Sequence, residues 1–210
     1  MTTENRSLEA KLDEVRDSLD VLNVAVSGNL NSVRAGLMGQ SVSEIKSVDE
    51  AARFARERCL LLVARQQPVA RDLRFTMSAI RIGHDYERIQ DLVKFLNDRI
   101  ERLRQSSIQP VIQSMAGILA KIIAMNTLVG RTWKRDLTES EKLSIKHEVD
   151  ASCSPIYAEI AEIHTKTIEA ISHGVGEGGA ELLVELVLAC RHLTRIVDLL
   201  EAIPDEAKSF

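Results

Sequence analysis

From Phe75 onward the chain sets an apolar residue at alternating steps of four and three: Phe75, Ala79, Ile82, Tyr86, Ile89, Val93, Leu96, Ile100 and Leu103. That spacing turns one seam of a long helix toward partner helices. A seam of nine positions needs other seams to cover it, so the chain is bound to a helical bundle. The remaining segments supply them. Leu8, Leu12, Val15, Leu19, Leu22, Val26, Leu30, Val33 and Leu37 mark a first helix from about Arg6 to Met38 and Gly39, weakened by Gly28 and Gly36. Ile45, Val48, Ala52, Ala55, Cys59 and Leu62 mark a second, with Ser41 or Ser43 as its expected cap.

Pro68 is expected in the first turn of the third helix, where its missing N–H is harmless, with Asp72 near the positive end of the dipole. The polar 104–107 joint closes this first set of three. A fourth helix is expected from Ile108 to Trp133, with Ile112, Met115, Leu119, Ile122 and Val129 along its seam. Asn126 falls in that seam, where a buried amide must be hydrogen-bonded and thereby fixes register. Thr138 and Glu141 form a capping-box pattern at the start of the fifth helix. Pro155 is expected to kink or break that helix, which then continues through Ile156, Ile160, Ile163, Thr167 and Ile171. The glycines of 172–179 lack the Lys-Ser or Lys-Thr of a phosphate-cradling loop and follow no strand, so they read as a helix-to-helix connection.

Adding 107 to the third-helix seam gives Leu182, Leu186, Ala189, Leu193, Ile196, Leu200 and Ile203, apolar at every position. Arg88-Ile89-Gln90-Asp91-Leu92 returns as Arg195-Ile196-Val197-Asp198-Leu199, and Val48-Asp49 returns as Val149-Asp150. The fold class expected is therefore all-α, a duplicated three-helix bundle of six long antiparallel helices, with units at 6–105 and 107–204.

Composition narrows function more than fold. Aromatics are only 3% of the 210 residues, and a net charge of −4 leaves no broad basic footprint for nucleic acid. Cys59, Cys153 and Cys190 lie far apart inside helical patterns, without zinc-ligand spacing, and read as reduced, buried thiols. Residues 1–5 lack the parts of a signal peptide, and no apolar run is expected to span a membrane. Glu87 and Asp91 stand at i and i+4 on the stripe beside the seam, with His84 and Asp98 on the same stripe. Two carboxylates so placed can share a cation or sit in water; Glu87 with Arg88, and Asp49 with Arg53, can equally form surface ion pairs.

The tract Gln66-Gln67-Pro68-Val69-Ala70-Arg71-Asp72-Leu73-Arg74, followed by Tyr86-Glu87-Arg88-Ile89-Gln90-Asp91, resembles the signature of the PhoU phosphate-uptake regulators. The likeness extends over almost the whole chain, through Asp49, Asp136, Asp150 and the six-helix duplication. It implies two three-helix bundles side by side in a cytoplasmic, often dimeric protein that reaches the inner membrane through partners. The implied partners are the ATPase of the phosphate ABC transporter and its sensor histidine kinase, both held off when phosphate is plentiful. No catalytic chemistry is implied. Arg71, Asp72 and Arg74 are candidates either for helix capping or for a partner-docking surface at the tip of the bundle.

The resemblance also implies multinuclear iron or zinc clusters held by Glu/Asp-x-x-x-Asp motifs. Glu87 and Asp91 keep one motif intact, but Ile45 precedes Asp49, Lys146 precedes Asp150 and Thr194 precedes Asp198 where carboxylates are expected. Losing three of the eight carboxylates raises the cost of gathering several metal ions. The expectation is at most a reduced site from Asp49, Glu87 and Asp91, with His84 or Asp85 assisting, and a degenerate second site at Asp150 and Asp198 with no cluster. Two other function classes compete with the regulator. An iron-storage or oxidase bundle needs Glu-x-x-His on two helices, a pattern that no Glu here begins. A structural, dimerising helical module needs no chemistry at all.

Overall fold

A computed structural model describes residues 3–41, 44–104, 109–172 and 179–207, with side chains described there except at 3–7, 100–101, 104, 109 and 170–172. Ser43, Ile108, the 105–107 part of the joint, the 173–178 glycine segment and the side chains of Ile100 and Ile171 lie outside the described residues. Six helices follow in order: α1 Thr3–Leu37, α2 Asp49–Gln66, α3 Ala70–Arg104, α4 Gln109–Val129, α5 Glu139–Ser172 and α6 Gly179–Ala207. No strand occurs among the described residues.

Each seam position with a described side chain is buried, apart from Leu8, Ile45 and Leu182, which are partly covered. Helices α1, α2 and α3 pack on one another, as do α4, α5 and α6. The two sets meet along α1 with α4 and α3 with α6, so their apolar residues join one core. Only α2 and α5 stay outside that junction.

Offsets for the other helices emerge from packing. Leu12, Val15, Leu19, Leu22, Val26 and Leu30 correspond, 103 residues on, to Met115, Ile118, Ile122, Met125, Val129 and Trp133, all of them buried. Asn23 corresponds in the same way to Asn126, and the two amides trade bonds across the junction. Asn23 Nδ2 donates to the Asn126 carbonyl at 2.8 Å, and Asn126 Nδ2 donates to the Asn23 carbonyl at 3.0 Å. Asn23 Nδ2 also lies 2.8 Å from the Tyr86 hydroxyl, which itself donates to Asn126 Oδ1 at 3.0 Å. Asn126 thus fixes register as its seam position requires, and it does so between the halves. Trp133 packs edge-on to Tyr86 with ring centroids 6.3 Å apart, and its Nε1 donates to Asp20 at 2.8 Å.

Several boundaries differ from the sequence expectation. Helix α2 begins at Asp49, not near Ser41 or Ser43. Asn29 grips the backbone of Lys46 on both sides, accepting from its N–H at 3.0 Å and donating to its carbonyl at 2.8 Å. Gln90 Oε1, fully buried, accepts from Asn29 Nδ2 at 2.7 Å. These bonds offer the 44–48 backbone an alternative to helix. Pro68 lies in the link between α2 and α3, not in a first turn, because Gln67 closes α2 in the left-handed region at φ 45° and ψ 54°.

Helix α4 stops at Val129 rather than Trp133. A Cβ on Gly130 would come to 3.0 Å from Asn23 Oδ1, so the chain turns closely against that amide, where glycine leaves it undisturbed. Helix α5 runs unbroken through Pro155; Ala151, whose carbonyl loses a helical partner there, is exposed to solvent. Gly28 likewise leaves α1 continuous. Pro110–Val129 is long and apolar enough to cross a membrane by length and composition, against the expectation of no such run. Here it is a core helix, burying Ile112, Met115, Ile118, Leu119, Ile122 and Met125.

The capping box forms as expected. Thr138 N–H donates to Glu141 Oε2 at 2.8 Å, and Glu141 N–H donates to Thr138 Oγ1 at 3.2 Å. All three cysteines are free and buried, and burial pushes their thiols up, to about 12 for Cys59 and Cys153 and about 11 for Cys190. Such thiols are poor nucleophiles.

Candidate functional site

The acidic positions fall on the outer faces of α2–α3 and α5–α6, the two helix pairs that the repeat relates. On the first face Asp49 leaves the N-terminus of α2, while Glu87 and Asp91 project from α3. Lys94 Nζ stands between the aspartates, 3.7 Å from Asp49 Oδ2 and 3.4 Å from Asp91 Oδ1. Arg56 Nη2 reaches across from α2 to Glu87 Oε1 at 3.0 Å, and His84 Nδ1 lies 3.5 Å from the other oxygen. Glu87 therefore pairs with Arg56, not Arg88; Arg88 turns to Asp85 at 3.6 Å. Nor does Asp49 pair with Arg53, whose guanidinium sits 4.0 Å from Glu50. Asp85 is half-buried, and that burial pushes its carboxyl up, against the opposing charges of Arg88, His84 and Arg195.

The second face keeps the helix pairing and changes the chemistry. Arg56 corresponds, 101 residues on, to Tyr157; Glu87 and Lys94 correspond, 107 residues on, to Thr194 and Glu201. The Tyr157 hydroxyl lies 2.8 Å from Asp198 Oδ1 and 2.9 Å from Glu201 Oε2, one proton between two carboxylates. Burial, then those two acceptors, pushes the phenol up. Thr194 turns its hydroxyl back to the Cys190 carbonyl at 3.0 Å. Lys146 bonds Asp150 and reaches Asp205 at 3.4 Å, and these carboxylates raise its ammonium against the burial that lowers it.

These residues do not fit a multinuclear metal cluster. Protein cations stand at Asp49, Glu87, Asp91 and Asp150, and Asp198 is engaged by Tyr157 and by Arg195 at 3.4 Å. Among the described residues no three His, Cys, Asp or Glu gather as metal ligands. A metal ion would have to displace these ammonium and guanidinium groups to reach its donors.

At the start of α3, Arg71 and Arg74 are exposed and Asp72 is half-buried, its carbonyl accepting from Thr76 Oγ1 at 2.7 Å. Sequence reasoning missed what lies beside them. Leu73 and Met77, one turn apart on α3, are 37% and 45% exposed, and Val69 just before the helix is 75% exposed, so uncovered apolar residues cluster at this end of the chain segment. Their i, i+4 spacing was visible, but it competes with a stronger seam two residues out of phase.

Fold and faces define an all-α protein of two related halves, its polar side chains arranged for contact and charge pairing. A PhoU domain model matches residues 20–100. The phosphate-specific transport system accessory protein PhoU homolog of Archaeoglobus fulgidus is 30% identical over 201 residues, covering 93% of this chain and 88% of that protein. The homolog of Rhizobium meliloti is 36% identical over 84 residues, 37% of this chain and 35% of that one. In structure, PhoU from Pseudomonas aeruginosa superposes with a TM-score of 0.68 at 22% identity, covering 95% of this chain and 96% of that chain. The chain belongs to the PhoU family.

Proposed function

We propose that the chain is an accessory regulator of high-affinity phosphate uptake, coupling the ATPase of the phosphate ABC transporter to a sensor histidine kinase and holding both off when phosphate is ample. The observation that carries this reading is likeness along nearly the full chain to a phosphate-specific transport accessory protein, with the Gln66–Arg74 tract intact. The protein acts as a cytoplasmic homodimer and meets the membrane through its partners. Arg71, Asp72 and Arg74 form the docking surface, and the cluster of Val69, Leu73 and Met77 supplies the apolar contact that such a surface needs. The acidic faces serve as ion-paired clamps between neighbouring helices, with Asp49, Glu87 and Asp91 as the candidate set for a reduced iron or zinc site and Asp150 and Asp198 as its degenerate counterpart.

Capture from membranes of phosphate-replete cells tests the docking surface. Tagged wild type is expected to retain the transporter ATPase, and Arg71→Glu/Leu73→Glu to lose most of it while keeping its helicity and melting temperature. Failure of wild type to retain the ATPase would remove the transporter from the account; equal retention by the variant would move the docking surface elsewhere.

A further inference from the structure

The loss of the acidic motif on the second half leaves a groove. Where Arg56 and Glu87 bridge α2 to α3, the related face carries Tyr157 and Thr194, which do not meet: the Tyr157 hydroxyl crosses to Asp198 and Glu201 further along α6, and Thr194 turns back to the Cys190 carbonyl. Between α5 and α6, with Leu92 of α3 at its edge, lies an open cavity of about 930 Å³. Its counterpart on the first half, lined by Arg56 and Glu87, measures about 410 Å³. The larger cavity falls within the size of small-molecule sites, which combine an apolar floor with a few converging polar groups.

The floor is Leu92, Ile160, Val187 and the buried Cys190. The polar groups are divided between the ends. At one end Asp198 is already engaged by Tyr157 and Arg195. The antiparallel register set by that contact brings His164 and Thr165 of α5 opposite Arg191 of α6 at the other end, all three exposed. Arg191 forms no ion pair among the described residues. Its charge acts on His192 instead: burial, then Arg99 and Arg191, push that imidazole down, toward the neutral form.

We propose that this groove binds a nucleoside phosphate, its phosphate held by Arg191 with His164 and Thr165, and its base and ribose lying along the apolar floor toward Tyr157. A guanidinium with further N–H and O–H donors suits a phosphate's several acceptor oxygens. The α5 wall runs eight residues from Tyr157 to Thr165, about 12 Å at the helical rise, the length of a nucleotide rather than of a bare phosphate. The His164 imidazole and the Thr165 hydroxyl find partners in the phosphate while the base and ribose rest on the apolar floor, whereas an acyl chain would strip these groups of water with nothing in return. The proposal stands on the groove and is independent of which transporter the protein serves.

Calorimetric titration of the full chain with ADP, without added metal, is the test, with inorganic phosphate and adenosine as separate titrants. ADP is expected to bind one site with a Kd tighter than about 1 mM, with phosphate and adenosine each weaker by about tenfold or more. Arg191→Gln, at an exposed position that leaves folding intact, should weaken ADP about tenfold, and the His164 imidazole resonance should move with ADP in wild type only. Arg53→Gln, on exposed α2, should change nothing. No saturable ADP binding, unchanged affinity in Arg191→Gln, or phosphate binding as tightly as ADP would overturn the proposal.

Discussion

The outer face of α2–α3 and that of α5–α6 sit on the same scaffold and do different things. Inside, Leu12 and Met115, Ala52 and Cys153, or Ile82 and Ala189 occupy related buried positions and differ only in size, while buried Gln90, which corresponds to Val197, keeps its amide there with Asn29 as partner. Outside, Arg56 becomes Tyr157, Glu87 becomes Thr194 and Lys94 becomes Glu201, so one face is bridged by opposite charges and the other by a shared phenol beside an open groove. Core positions exchange mostly among apolar residues because a buried polar atom that lacks a partner costs stability, while exposed positions drift at little cost. A duplicated fold can thus keep one set of packing rules and hold two binding chemistries.

The largest expected effect lies where the halves are still equivalent. Asn126→Ala takes a partner from the Asn23 carbonyl, the Tyr86 hydroxyl and Ser27, and should cost about 3 kcal/mol in urea unfolding with an unchanged m-value. A loss below about 1 kcal/mol would mean that the amide pair is not what joins them. Gly130→Ala, pressing a methyl against the same network, should cost about 2 kcal/mol. Tyr157→Phe removes the proton shared by Asp198 and Glu201 and should cost about 1 kcal/mol. Its counterpart Arg56→Ala breaks an exposed pair and should cost less than that. If Arg56→Ala proves the costlier change, the contrast between a charged clamp and a phenol clamp is wrong.

Metal uptake sharpens the same contrast. Wild type purified without chelator should carry well under one equivalent of iron or zinc, and Arg56→Gln/Lys94→Gln, which frees Glu87, Asp49 and Asp91, should take up more zinc on the first face. The smallest effect is on pH. His192 has its folded pKa held below the ordinary 6.5, so as pH falls through that value the unfolded chain takes up the proton first and stability drops until the folded pKa is passed. Arg191→Gln should narrow that window, as read from denaturation midpoints at several pH values.

The six helices and their seams were legible because burial at steps of three and four is dictated by helix geometry alone, as at Phe75 through Leu103. The capping box at Thr138 was legible for the same local reason. What stayed hidden needed long-range partners. Nothing near Asn29 in sequence shows that it will hold the Lys46 backbone, so the pattern by itself extends α2 back to Ser41 or Ser43, ahead of its start at Asp49. The 103-residue relation of Asn23 to Asn126 was obscured because the α3–α6 offset differs from it. On the acidic face Glu87 and Asp91 were visible, but the cations that reach them, Arg56 and Lys94, were not part of any motif. The groove over Ile160 and Cys190 follows from a missing bridge, which no single residue announces.

The most direct test of the regulatory account is a phosphate-starvation reporter in a strain lacking this protein, grown with ample phosphate and then complemented. The account predicts a reporter that is on in the deletion and silenced by wild type. It also predicts silencing by Glu87→Ala/Asp91→Ala, whose carboxylates serve here as ion-pair partners. A reporter that stays off in the deletion would contradict the regulator itself, and one that the double variant fails to silence would return the acidic face to the centre of its function.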